Sequence, residues 1–314
     1  MSTLEEIFRF ENLYYENYHN PKNRIRPDSP EILLMQYICE GRYEEAVQLF
    51  EEKQQFGDTP SVVDAPNGRF TGLDGIRKFA QTWISTAQAD GASIIPMVQT
   101  QSGGRSATEM LMCFEYPHAG KIVRFPVLVV GDLRGGGKLD EVRIYYFYKW
   151  VPGISPYRHR MFRPSFEKQM EPAAMTGALR AYSEALATMR SVDELPRIMD
   201  TMTDDVVYGG YRPETISGII RGKEAVEKKY RSFVNMPQII RFESVIDDGL
   251  TAVCEWVGVP NPNYVPEEGK IPLLQSGVGI YVRDLESGLI KEVRIIDNAR
   301  FQDTIDWETA DILY

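Results

Sequence analysis

Leu139-Asp140-Glu141-Val142-Arg143-Ile144-Tyr145-Tyr146-Phe147-Tyr148 decides the fold, because its centre, Glu-Val-Arg-Ile, returns as Glu292-Val293-Arg294-Ile295. Two further strings keep the same order at a spacing of about 150 residues. Gly120-Lys121-Ile122 matches Gly269-Lys270-Ile271, and Gly72-Leu73-Asp74-Gly75-Ile76 matches Gly222-Lys223-Glu224-Ala225-Val226. The stretches that open at Gly72 and Gly222 read as helical and run on to an aromatic residue, Trp83 in one and Phe233 in the other. One short match arises by chance; three in order point to a tandem duplication. Two copies of a large unit make a paired domain rather than a solenoid.

Outward from the repeat, each copy has the same grammar. The first opens with helical segments, Ile32 to Cys39 and Tyr43 to Glu52, in which Ala46, Val47, Leu49 and Phe50 suit one buried face. The extended piece Val62-Val63-Asp64 and the turn-rich Ala65-Pro66-Asn67-Gly68 follow, then the Gly72 helix. Strand-like runs come last: Ile94 to Thr100, Glu109 to Tyr116, Ile122 to Val130 and Leu139 to Trp150, separated by turns such as Gly103-Gly104 and Gly135-Gly136-Gly137. The second copy repeats this from Leu179 through Phe301. Helices first and an antiparallel sheet after predict an α+β chain of two tandem domains, each with helices on one sheet face. The expected boundaries are an N-terminal extension over 1–30, a domain over 31–151, a linker over 152–172, a second domain over 173–302 and a tail over 303–314.

Bulk properties narrow the partners. The chain has 314 residues, too many for one ordinary core, and a net charge of −10. Nucleic acid and anionic membrane surfaces call for a positive footprint, so neither is an expected partner. No apolar run approaches the roughly 20 residues that cross a bilayer, and the acidic start lacks an apolar leader. Cys39, Cys113 and Cys254 are scattered without disulfide or metal spacing, as in a reducing compartment, and a cytoplasmic location is expected. With three histidines far apart, no metal site is expected, and His118 and His159 read as surface residues.

The order of these strings resembles the ketosteroid isomerase branch of the SnoaL-like, nuclear-transport-factor-like cone fold over residues 32–150 and 179–301. Val63-Asp64-Ala65-Pro66-Asn67-Gly68 is similar to the family's Asp-Pro-x-Gly turn with one residue inserted, and Thr71 to Phe79 to its following helix. Phe114-Glu115-Tyr116 and Lys138 to Phe147 are similar to its later strands. The resemblance implies a curved sheet wrapped around a helix, forming a conical apolar pocket. It also implies a carboxylate base, with a tyrosine and a protonated acid as donors to an oxyanion. Asp64 matches the base, or Ala65 does in an alternative alignment. Tyr182 matches the tyrosine in the second copy, and Tyr37 lies one turn beyond the matching Leu34 in the first. The protonated acid falls on Leu128 and near Val278, so neither copy keeps it, and Gly209-Gly210 stands where the second copy's base would be. An ordinary steroid isomerase is therefore not expected.

Strand alternation supplies the remaining candidates. The pocket-facing set is Met110, Met112, Phe114 and Tyr116 with Val142, Ile144, Tyr146 and Tyr148 in the first copy. In the second it is Val253, Glu255 and Val257 with Val293, Ile295 and Asp297. Glu255 and Asp297 interrupt apolar strands, and if they converge, proximity separates their pKa values into an acid–base pair. Glu141 and Arg143 share one strand face, where charge pairs are usual, and read as structural. The expected catalytic residues are thus Asp64, Tyr37, Tyr182, Glu255 and Asp297, with Met112, Phe114, Tyr116, Tyr146 and Tyr148 lining the substrate site. Two functions compete. One is a cofactor-independent isomerase, dehydratase or cyclase acting on a small apolar ring compound; the other is a non-catalytic binding module of the same fold. Duplication also implies a pseudo-dimer within one chain, with a homo-oligomer as a further arrangement.

Overall fold

The computed structural model describes residues 25–50, 59–64, 67–86, 89–117, 120–133, 137–146, 161, 175–189, 191–210, 220–234, 236, 238–261, 264–265 and 276–297. The expected linker, apart from Met161, and the expected tail lie outside them, as do residues 1–24, Ala65, Pro66, His118, Tyr148 and His159. The chain divides into two units, Met1–Met161 and Phe162–Tyr314.

Unit 1 starts with helix α1, Pro30–Cys39, whose proline sits in the first turn, where a missing N–H costs nothing. Ile32, Leu34, Met35 and Ile38 are buried from it. A short helix α2, Tyr43–Gln48, follows Gly41, which turns the chain at φ 72°. Strands β1, Ser61–Asp64, and β2, Gly68–Thr71, form a hairpin. Helix α3, Gly72–Thr86, then buries Ile76, Phe79, Ala80 and Trp83, the i, i+3, i+4, i+7 stripe of an amphipathic helix. Strands β3, Gly91–Ser102, β4, Arg105–Tyr116, β5, Lys121–Leu133, and β6, Leu139–Tyr146, complete a six-stranded sheet in the order β2-β1-β6-β5-β4-β3. Alternation along the strands sends Met110, Met112, Phe114, Val127, Val129, Val142, Ile144 and Tyr146 onto α1 and α3. Pro96, which lacks a ladder donor, lies on the edge strand β3 beside a bulge, where that lack is tolerated.

The sheet is antiparallel as expected except at one pair. β1 runs parallel to β6. Helix α3 carries the chain to the far edge, and three successive antiparallel pairings then bring β6 back running with β1.

Unit 2 has the same plan. Helix α4, Gly177–Thr188, precedes a 3-10 turn, Val192–Glu194, held by a reciprocal Ser191–Glu194 capping box, and a short helix α5, Leu195–Met199. Strands β7, Met202–Gly210, and β8, Ile220–Arg221, lead to helix α6, Lys223–Arg231. Strands β9, Gln238–Asp247, β10, Thr251–Pro260, β11, Ser276–Arg283, and β12, Ile290–Asp297, follow. The sheet order is β8-β7-β12-β11-β10-β9, with β7 parallel to β12. Each unit is therefore α+β, and the two stand in tandem along the chain.

The Glu-Val-Arg-Ile strings occupy β6 and β12. Glu141, Val142, Arg143 and Ile144 pair with Ser61, Val62, Val63 and Asp64; Glu292, Val293, Arg294 and Ile295 pair with Val207, Tyr208, Gly209 and Gly210. Their charged members form ion pairs, as the sequence implied. Arg143, wholly buried, forks onto Asp132 at 2.7 and 3.1 Å and reaches Glu141 at 3.1 Å. Glu141 also accepts from Ser61 Oγ at 2.7 Å and from Arg69. Arg294 pairs with Glu292 at 2.6 Å.

Candidate functional site

Asp64 ends β1, and strand alternation turns it, like Val62, toward the core. It is fully buried. The β1–β2 turn folds Asn67 back onto it: the Asn67 backbone N–H donates to the Asp64 carbonyl at 3.0 Å, and its side-chain amide donates to Oδ2. Tyr146, the last residue of β6, donates its hydroxyl to the same Oδ2 at 3.2 Å. The other oxygen, Oδ1, is buried with no hydrogen-bond partner among the described residues. Around them stand rings from α3 and β4. Trp83 meets Phe79 at 5.8 Å, Phe114 at 5.7 Å and the edge of Tyr146 at 6.1 Å.

Burial pushes the Asp64 carboxyl up to about 7, although Asn67, Tyr146 and Trp83 act to lower it. The ordinary value is near 3.9. Loss of water penalises the charged form, and that penalty outweighs the donors here. Burial and the neighbouring Asp64 hold the Tyr146 hydroxyl well above its ordinary range, so it remains a neutral donor. A carboxyl poised near neutrality is suited to both taking and returning a proton.

The structure brings together only part of the expected set. Asp64 and Tyr146 are hydrogen-bonded, and Met112 and Phe114 belong to the same buried cluster. Tyr116 is half-buried at its rim, its ring 6.4 Å from that of Phe114. Tyr37 takes no part in the hydrogen bonding of Asp64 described above; the Arg42 guanidinium lies over its ring at 4.2 Å. Asn67 and Trp83 were missed as site residues, although both lie in strings read for the fold.

Tyr182 lies in unit 2 on α4, in a different setting. Its hydroxyl and that of Tyr230 on α6 are 2.8 Å apart, and its ring is 5.2 Å from that of Tyr281 on β11. With Tyr208 these residues line a cavity of about 250 Å³ whose other walls include Leu186, Ile240 and Trp256. Burial raises the hydroxyls of Tyr182, Tyr230 and Tyr281 well above the ordinary tyrosine range. Gly279 makes room for this arrangement, since a Cβ there would fall 2.7 Å from the Tyr281 hydroxyl. Sequence reading missed Tyr208, Tyr230 and Tyr281. The i, i+4 pairing of Val226 with Tyr230 on the Gly222 helix was the available signal, and both are buried.

On β10 the expected inner face is one residue out. Ala252 and Cys254 join the core and Trp256 lines the cavity, so Glu255 is buried on the opposite face, opposite Ser244 and Val278. By register Cys254 holds the place of Thr108, an even spacing, whereas Glu-Val-Arg-Ile recurs at an odd one, so alternation carried over from that match lands on the other face. Asp297 ends β12 opposite Gly277, and its side chain is outside the described residues. By register, Asp297 holds the place of Tyr146, and Gly210 holds that of Asp64.

Cys39, Cys113 and Cys254 form no disulfide. Burial pushes Cys39 up to about 12 and Cys254 well above its ordinary value, which leaves neither as a nucleophile near neutral pH. Among the described residues no three His, Cys, Asp or Glu side chains are grouped to hold a metal ion, and no helix is long and apolar enough to cross a membrane.

No protein-family model matches the chain, and neither does any curated protein. Among solved structures, the chain is similar to an NTF2-like protein of unknown function from Cytophaga hutchinsonii, with 15% identity over 40% of this chain and 94% of the other, TM-score 0.28. It is similar to RV0760c from Mycobacterium tuberculosis in complex with estradiol-17beta-hemisuccinate, with 19% identity over 38% and 88%, TM-score 0.30. A third is a Catenulispora acidiphila protein with a ketosteroid isomerase-like fold in complex with trimethylamine, with 15% identity over 38% and 87%, TM-score 0.31. Each unit here has helices first and a six-stranded sheet packed against them.

Proposed function

We propose that the chain is a cofactor-independent enzyme of the isomerase, dehydratase or cyclase type, working on a small apolar ring compound by carboxylate proton transfer, with Asp64 of unit 1 as the transferring group. One observation carries this: a fully buried carboxyl, poised near neutrality, whose Oδ1 has no hydrogen-bond partner among the described residues. Oδ2 is occupied by Asn67 and Tyr146.

In the simplest reaction Oδ1 takes a proton from a carbon beside a carbonyl, leaving the electron pair on the enolate. Asp64, now neutral, returns the proton to a second carbon, and a double bond has moved. A dry aromatic wall strengthens each electrostatic contact during this step. Tyr146 acts as a positioning residue, since its hydroxyl is committed to Oδ2. Entry requires displacement of rings, and Tyr116 at the rim is the less buried one. Asp297 is the corresponding proposal for unit 2, on its register alone.

A screen of ring ketones and β-hydroxy ketones, followed by loss of product or exchange of solvent deuterium into the ring, tests the reading. Asp64→Asn is expected to lower the rate at least about 100-fold, within the usual range for a positioned acid or base. The wild-type profile of kcat/KM should bend near pH 7. Deuterium exchange unchanged in Asp64→Asn, or a profile flat from pH 5 to 9, refutes the assignment.

The second reading is a non-catalytic binding module. It is favoured by the cavity in unit 2, whose lining holds tyrosines with Lys229, Ser232, Gln238 and Asn261 and no carboxylate.

A further inference from the structure

A second buried acid stands in unit 1. Glu31, in the first turn of α1, is fully buried, and its Oε1 collects three donors. They are the Ser106 hydroxyl, the Thr108 hydroxyl at 2.9 Å and the Gln99 amide at 2.9 Å. The same amide reaches Ser29 Oγ at 2.6 Å, and Ser29, Gln99, Ser106 and Thr108 are buried too. Glu31 Oε2 is buried with no hydrogen-bond partner among the described residues. The three donors on Oε1 are neutral, so none supplies the positive charge that a buried carboxylate calls for. A proton on Oε2 would be a buried donor in need of an acceptor in its turn.

The architecture does not demand this polarity, because unit 2 closes the same place with apolar side chains. Helices α1 and α4 both start after a hydroxyl residue, Ser29 and Thr176; two positions on, Glu31 is answered by Ala178. By strand register Gln99, Ser106 and Thr108 are answered by Val245, Ala252 and Cys254, and Gly131 by Tyr281. Those four residues of unit 2 belong to its hydrophobic core. Gly131 leaves room for the acid, since a Cβ there would lie 3.5 Å from Glu31 Cβ and 3.0 Å from Leu139 Cδ2. Apolar packing can replace buried charge without loss of stability. A polar cluster kept in one copy alone therefore points to a use beyond holding the sheet.

We propose that the Glu31 cluster binds one alkali-metal cation, Na+ or K+. Glu31 Oε2 is its charged ligand, and the hydroxyl oxygens of Ser29, Ser106 and Thr108 are neutral ones. A hydroxyl that gives its proton to Oε1 keeps its lone pairs. Hard cations take oxygen ligands, and one carboxylate balances one positive charge. The site shares no residue with that of Asp64: Thr108 and Phe114 lie on one strand, roughly 20 Å apart along it.

Hydrogen exchange of the full chain tests it. The chain is freed of alkali metal in tetramethylammonium chloride, then moved to NaCl or KCl at the same ionic strength. Exchange in α1, β3 and β4 should slow by up to about tenfold for each tenfold rise of cation above its Kd. Segments α4, β9 and β10, which carry the apolar counterparts, are the control within the same molecule and should not change. Glu31→Gln keeps the shape, removes the charge and should abolish the response. Ser106→Ala, which takes the residue of unit 2, should weaken it several-fold and serves if the glutamine variant does not fold.

Equal exchange in all three salts overturns the proposal. So does slowing shared by both units, which is a general salt effect, or a response that survives Glu31→Gln. No substrate enters the measurement, so its result is independent of the reading of Asp64.

Discussion

Asp64 is an acid that folding holds where ionisation is penalised. Its folded pKa, pushed up to about 7, lies above the ordinary value near 3.9, so the native state holds the proton more tightly than the unfolded chain. Stability therefore falls as pH rises between those values, by on the order of 4 kcal/mol, and is level above them. Asp64→Asn keeps the shape and removes the titration. Denaturant unfolding should find the variant close to wild type at pH 4 and more stable at pH 8; a gap independent of pH refutes the assignment. Tyr146→Phe removes a donor that favours the carboxylate. It should move the bend on the acid side of the pH–rate profile upward by about one unit, the worth of a hydrogen bond to a charged group, and a downward move would contradict the geometry. The sequence made Asp64 a candidate through its turn, and Tyr146 through strand parity. Nothing in the residue pattern showed that the two meet, because their contact spans 82 positions and depends on the parallel pairing of β1 with β6.

At the scale of elements, β6 shows what the repeated Glu-Val-Arg-Ile does. Its inner residues close the core, and its charged residues form a network with Asp132, Arg69 and Ser61. Removing Arg143 leaves two carboxylates in low-dielectric surroundings, with side-chain exposures of 14% for Asp132 and 5% for Glu141. Arg143→Met is expected to cost about 3 to 5 kcal/mol by denaturant unfolding, the range for breaking a buried pair from one side. Asp132→Asn added to Arg143→Met should recover part of that loss, and no recovery would show that the network is not electrostatic in origin. Parity was legible on β4, β6 and β12, so Met112, Phe114, Val142, Ile144, Val293 and Ile295 all take the expected face. It failed on β10, where Ala252, Cys254 and Trp256 take the inner face and Glu255 is buried on the other. A period of two forgives no slip of one.

For the whole molecule, charge and architecture decide the company it keeps. With a net charge of −10 and a pI near 5.0, the protein should pass through a DNA–cellulose column at pH 7.5 in low salt and be retained on an anion exchanger. Retention on DNA that salt abolishes would reveal a positive surface hidden by the net figure. The α+β class and the order of helices and strands were legible because hydrophobic period and turn residues mark each element. The tyrosine cluster was not, because it draws on α4, β7, α6 and β11, elements far apart in sequence whose rings converge only after the sheet has closed.

The parallel pairing of first and last strands also sets a timetable. Ser61 lies opposite Glu141, and Asp64 opposite Ile144, so β1 waits for some eighty residues of chain before it finds its neighbour. Contacts of such long sequence separation form late in folding. During synthesis the acid of unit 1 would stay wetted, and ionised, until the ribosome had released β6. Emergence of that strand, well before unit 2 is complete, is the moment at which the carboxyl dries out and its hold on a proton tightens.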